Sequence, residues 1–209
     1  MDGLLIDSEP LWQEAEITVF TKLGVPLTPK MTHQTTGLRV DEVVDYWYKR
    51  YAWDSLSHKE VCSLIDNTGM ELVRDRGVAK PGVDELISLL ESSGLPIGIA
   101  SSSSQLFITI VLDKLGIADK IKFIHSAHDE KYGKPHPDVY LSTAQELGVH
   151  PSNCLAFEGS ANGVLAAKAA KMKCIAVPEA HLRTDKRFGI ADLILDSLND
   201  FTSEMLIEL

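Results

Sequence analysis

The sequence predicts an α/β protein in which a parallel-sheet core is interrupted by an all-helical block. Three observations carry this. Residues 80–209 alternate short apolar runs with helical stretches of about ten residues, the pattern of parallel strands joined by right-handed helical crossovers and covered on both faces. Residues 13–79 show helical periodicity and no strand signal. The length, 209 residues, suits a core with a smaller inserted domain. The expected division is a core of residues 1–12 and 80–209, with the insertion spanning 13–79.

The chain opens with MDGLLIDSEP, in which Asp2-Gly3 makes an acidic, glycine-turned loop and Asp7 to Pro10 launch a helix. Over 10–23, Leu11, Ala15, Val19 and Leu23 recur every fourth residue, and Gly24-Val25-Pro26 ends the helix. Thr35-Thr36-Gly37-Leu38-Arg39 reads as a polar loop. A helix over 40–51 follows, rich in Tyr46, Trp47, Tyr48 and Tyr51. Ser57, with Glu60 three residues on, is a capping box for a helix running into the seventies. At Lys80-Pro81-Gly82 the pattern changes. Helices are expected over 83–92, 104–115, 138–147 and 161–170, and strands over 95–100, 121–125, 154–157, 174–177 and 192–195, before a C-terminal helix.

A net charge of -10 and no long Lys/Arg cluster argue against a nucleic-acid partner. No apolar stretch approaches the ~20 residues that span a bilayer, so no membrane is expected. Cys62, Cys154 and Cys174 lack metal-ligand spacing, and Cys154 and Cys174 sit in strand-like runs as expected buried thiols. With no basic region leading into an apolar run at the start, this suits a reducing, cytoplasmic setting.

Four stretches carry candidate chemistry. Asp2-Gly3 is the first. Ser101 ends the apolar run LPIGIA just before a helix, where a hydroxyl and backbone N–H groups make a phosphate cradle. The same four serines also supply an N-cap, for which Ser104 is best placed. Lys134 stands in a loop stiffened by Pro135 and Pro137, with His136 between them read as structural. Glu158-Gly159-Ser160 follows the run CLAFE and leads into Ala161-Asn162-Gly163 and an alanine-rich helix.

In that order and spacing, the four stretches resemble the motif set of the haloacid-dehalogenase superfamily, and the resemblance spans the chain. It is closest to the branch acting on hexose and hexitol phosphates, through MDGLLIDSEPLW and AAKAAKMKCIAVP. It implies a Rossmann-like parallel-sheet core with a helical cap, and Mg²⁺-dependent hydrolysis of a small phosphorylated sugar through an aspartyl-phosphate. Asp2 would be the general acid/base and, through its carbonyl, a metal ligand. Ser101 and the amide of Ser102 would hold the phosphate, and Lys134 would balance the carboxylates and bind phosphate. Glu158 would serve the metal site, but Gly159 stands where the superfamily has a second acid that ligates Mg²⁺ directly.

The resemblance also places the nucleophilic Asp, and the central strand that delivers it, immediately before Met1. Such a strand buries about five apolar side chains at about 1.5–3 kcal/mol each, comparable to the ~5–15 kcal/mol stability of a domain. The sequence is therefore expected to begin downstream of the natural start. Gly37, Arg39 and Glu9 are the candidates for substrate selection. Arg39 reads equally as an exposed helix-start residue. Two alternatives stand beside hydrolysis: a catalytically dead binding member, favoured by Gly159, and a β-phosphoglucomutase-like phosphosugar mutase. The mutase would need a second phosphate site in the cap.

Overall fold

A computed structural model describes residues 1–208. In chain order the elements are α1 (Glu9–Lys22), α2 (Pro29–Thr32), α3 (Val40–Tyr48), α4 (His58–Arg76), α5 (Val83–Ser92), β1 (Gly98–Ser101), α6 (Gln105–Leu115), β2 (Phe123–Ser126), α7 (Asp138–Leu147), β3 (Leu155–Glu158), α8 (Ala161–Ala169), β4 (Lys173–Ala176), β5 (Leu193–Ile194) and α9 (Ser203–Glu208). The α/β class is as predicted, and every strand pair is parallel.

The strands form two sheets. In one, β1 pairs with β2, aligning Ser101 with Ser126. In the other, β4 lies between β3 and β5, aligning Glu158 with Ala176 and Ile175 with Leu193. Among the described residues, no strand pairs β1 with β3. Apolar packing joins the two sheets instead. Leu4 and Leu5 from the opening loop share one core cluster with Ile99 of β1 and Ile175 of β4.

Local chemistry explains most boundaries. Ser57 caps α4 through the amide of Glu60, whose carboxylate accepts in return from Ser57 N (2.8 Å). Ser104 caps α6. The strand expected over 95–100 begins only at Gly98, because Leu95 and Pro96 are exposed and proline has no N–H for the ladder. Helix α3 stops at Tyr48, three residues early, where Arg50 N and Tyr51 N both turn back onto the Trp47 carbonyl. The four-residue α2 was too short for periodicity to reveal. Cys174 is buried as expected, but Cys154 is only half-buried, because it lies just before β3 rather than within it.

Helices α1, α3 and α4 enclose their own apolar cluster, including Phe20, Val44, Trp47, Val61 and Ile65. A second cluster locks this block onto the sheet layer, combining Leu11, Met70 and Val73 with Ile6, Phe107 and Val111. A cleft lined from both sides lies beside that junction. No helix among the described residues is long and apolar enough to cross a membrane.

Candidate active site

The C-terminal ends of β1 and β3 deliver two of the four stretches, and the opening loop delivers a third. Gly3, at φ +63°, turns the loop so that Asp2 faces the cleft. Asp2 Oδ1 accepts from Ser8 Oγ (2.8 Å) and Trp12 Nε1 (2.9 Å), and Oδ2 accepts from Ser103 Oγ (2.7 Å). Three donors thus fix both oxygens of this carboxylate. Trp12 is held in turn by stacking on Phe107, with ring centroids 4.7 Å apart.

Ser101 is buried at the tip of β1, where its Oγ accepts from Ser103 N (3.1 Å). A hydroxyl that accepts in this way keeps its own hydrogen for a ligand. Ser102 Oγ instead donates to the Gly37 carbonyl (3.0 Å), tying the sheet layer to the loop before α3. Ser126 Oγ braces the turn through the Ser103 carbonyl (2.7 Å).

Lys134 is 5 % exposed and spends its three donors on the Ala100 carbonyl (3.1 Å), Tyr140 OH (3.3 Å) and Glu158 Oε1 (2.6 Å). It can meet a phosphate with its charge, but it has no spare hydrogen. Glu158 Oε1 also accepts a short hydrogen bond from Tyr140 OH, and Oε2 accepts from Ser160 N (3.2 Å) and Ser160 Oγ (3.3 Å). Burial alone would raise the Glu158 pKa. The adjacent Lys134 ammonium, then the Met1 amino group, then the hydrogen bonds from Lys134 and Tyr140 override it and bring the value down to about 2.

Gly163, in the first turn of α8, is what lets this carboxylate sit so deep. A Cβ there would lie 2.0 Å from Glu158 Cδ. Gly163→Ala should expel Glu158 from Lys134 and Tyr140 and cost at least about 1–3 kcal/mol from overpacking. Urea unfolding measures this, and an unchanged midpoint would overturn it.

Asp2, Ser101, Ser102, Ser103, Lys134 and Glu158 line one cavity of about 90 Å³, together with Glu9, Gln13 and Glu16 of α1 and Thr36 and Gly37 of the loop before α3. Glu9 is pushed up to about 8, first by burial, then by Asp2 and Glu179. Gly37 is required twice over: its φ is +82°, and a Cβ would meet Ser160 at 3.0 Å. Thus Asp2, Ser101, Ser102, Lys134, Glu158, Glu9 and Gly37 come together.

Arg39 does not join them. Its guanidinium turns to the carbonyls of Ala127 and Glu130 (both 3.0 Å) and to Asp41 (3.0 Å). It borders a separate hollow of about 410 Å³, shared with Asp45, His58, Asp66 and His128. Its place as a substrate contact is therefore corrected: it clasps the helical block to the sheet layer.

The donor set falls short of what Mg²⁺ needs, which is octahedral oxygen coordination with carboxylates to spare. Both Glu158 oxygens and both Asp2 oxygens are already engaged, and Gly159 brings no carboxylate. Among the described residues, no group of three or more His, Cys, Asp or Glu side chains is placed to hold a metal ion. The expected metal ligand Glu158 thus serves hydrogen bonds and an ion pair here, while the hydrogen bonds of Asp2 fall on its carboxylate and not on the backbone carbonyl expected as a ligand.

Ser103 and Tyr140 went unread in the sequence. Ser103 was hidden among four consecutive serines, and Tyr140 looked like one more apolar position of α7, six residues beyond Lys134.

Comparison with known proteins places this arrangement. The family profile described as haloacid dehalogenase-like hydrolase matches residues 1–171. The chain is 42% identical over 208 residues to hexitol phosphatase B of Escherichia coli (strain K12), covering 99% of this chain and 94% of that one. Its fold matches CbbY of Rhodobacter sphaeroides, solved with phosphate, at a TM-score of 0.91 and 24% identity, over 100% of this chain and 96% of the other. It also matches a β-phosphoglucomutase of Clostridium difficile at a TM-score of 0.86 and 26% identity, over 99% and 92% of the two chains. The chain belongs to the haloacid dehalogenase-like hydrolase family.

Proposed function

We propose that the chain binds a small phosphorylated sugar of the hexose or hexitol class and hydrolyses its phosphate ester. The observation that carries this reading is the convergence of Asp2, Ser101 and the Lys134–Glu158 pair on one cavity beneath the polar side of α1. The similar hexitol phosphatase supports the substrate class.

In this reading the phosphoryl group sits against the Ser101 hydroxyl and the Ser102 amide, within the field of Lys134. Asp2, oriented by Ser8, Trp12 and Ser103, handles the proton at the leaving oxygen. Residues 1–12 and 80–209 act as the core, and residues 13–79 act as a cap that excludes water.

Gly159 favours a second reading, in which the chain binds the same ligand without turning it over, because the position offers no carboxylate to Mg²⁺. The similar β-phosphoglucomutase supports the mutase alternative, but Arg39, the residue considered for its second phosphate site, is bonded to backbone carbonyls.

Phosphate release across a panel of hexose and hexitol phosphates with Mg²⁺ tests the proposal. Steady turnover that Asp2→Asn abolishes is the expected result. A folded protein that binds these compounds but releases no phosphate above background replaces hydrolysis with the second reading.

A further inference from the structure

Glu16 lies on the cavity side of α1, seven residues after Glu9 and three after Gln13, so the three recur along one helix face. Its Oε2 is sealed from solvent and makes no hydrogen bond to any described residue. Buried polar atoms are almost always paired, so an orphan that borders a cavity points to something that completes it from the cavity side.

The wall around it narrows the choice. Gln13 and Thr36 are neutral groups able to donate and accept, and the positive charge of Lys134 is held at the Ala100 carbonyl beside Ser101 and against Glu158. We propose that Glu16 is the specificity-determining residue for the hydroxyl chain of the ligand, its Oε2 completed by a hydroxyl of a phosphorylated polyol whose phosphate lies at Ser101. This rests on reading the cavity as a phosphosugar site.

Burial, and secondarily Glu9, push Glu16 up to about 8. At neutral pH the carboxyl is thus held mostly protonated. It then both donates and accepts, which matches a hydroxyl and mismatches the ammonium of an amino sugar. An orphan atom contributes nothing to the empty fold, so an apolar residue of similar size should leave the unliganded protein at least as stable.

The test compares Glu16→Leu and Glu16→Gln in an Asp2→Asn background, where turnover does not interfere. Dissociation constants are measured by calorimetry for sorbitol 6-phosphate, glucosamine 6-phosphate and inorganic phosphate, with urea midpoints taken alongside. Glu16→Leu should weaken sorbitol 6-phosphate at least about tenfold, the effect of about 1.4 kcal/mol in a hydrogen bond lost. It should leave inorganic phosphate within about twofold, while Glu16→Gln restores most of the affinity.

Equal losses for sorbitol 6-phosphate and inorganic phosphate, or a lower urea midpoint in Glu16→Leu, would make Glu16 a structural residue and overturn the inference. So would tighter binding of glucosamine 6-phosphate that Glu16→Gln abolishes, which would make Glu16 a cation reader. If inorganic phosphate binds but sorbitol 6-phosphate binds no tighter, the phosphate site stands and the inference fails. If neither binds, the phosphosugar reading fails and takes the inference with it.

Discussion

Replacing Lys134 by methionine should lower the unfolding free energy by about 3–5 kcal/mol and abolish phosphate binding. Lys134 and Glu158 form an ion pair at 2.6 Å in which both side chains are almost fully buried. Taking either charge out of water is costly, and each is tolerated because the other faces it. Methionine preserves the apolar stem but leaves the Glu158 carboxylate without its cation, and only Tyr140 and Ser160 remain to satisfy it. Such a loss is a large share of the ~5–15 kcal/mol that holds a typical domain together. Urea unfolding gives the magnitude. The double variant Lys134→Met/Glu158→Gln should recover much of the loss, because it removes the orphaned charge as well. A Lys134→Met midpoint equal to that of the unaltered protein would show that the pair does not hold the site.

Gly159→Asp should raise Mg²⁺ affinity at least about tenfold, since even outer-shell partners of a metal site change affinity by about 10–100-fold. The position is ready for the side chain. A Cβ at 159 would meet nothing nearer than the Gly3 carbonyl oxygen at 3.5 Å, ordinary van der Waals contact. The new carboxylate would sit between Glu158 and the loop that carries Asp2, adding the hard oxygen ligand that the present residues lack. Calorimetric titration with MgCl₂ reads the change directly, whether or not either protein turns substrate over. Equal affinities for the two proteins would mean that position 159 does not border a metal site.

Much of the fold was legible because its signals are local. The Ser57/Glu60 capping box, the Ser104 cap and the alternation of short apolar runs with helices each depend on residues a few positions apart. The site was legible in part for the same reason, since three of the stretches set a Gly or Pro beside a charged residue and the fourth is a run of serines ending an apolar run. Ser101, Lys134 and Glu158 could be named singly, and the structure brings them to one cavity. What went unread lies between stretches. Ser103 reaches Asp2 across 101 positions of chain, and the Arg39 guanidinium reaches Ala127 across 88. Nothing local distinguishes Ser103 from its three neighbours, or Arg39 as a clasp from Arg39 as a ligand.

The sequence by itself determined the α/β class, a helical stretch ahead of the parallel strands, and the family to which the chain belongs. These follow from periodicity, caps and short motifs, all written in near neighbours. Tertiary structure alone decided what each charged group faces. It spent all three Lys134 donors, closed Glu158 behind Gly163, turned Arg39 away from the cavity and left one Glu16 oxygen without a partner among the described residues. The physical reason is that the worth of a buried charge or hydrogen-bonding atom depends on burial and partner geometry, and both are set by segments that meet only when the chain is folded.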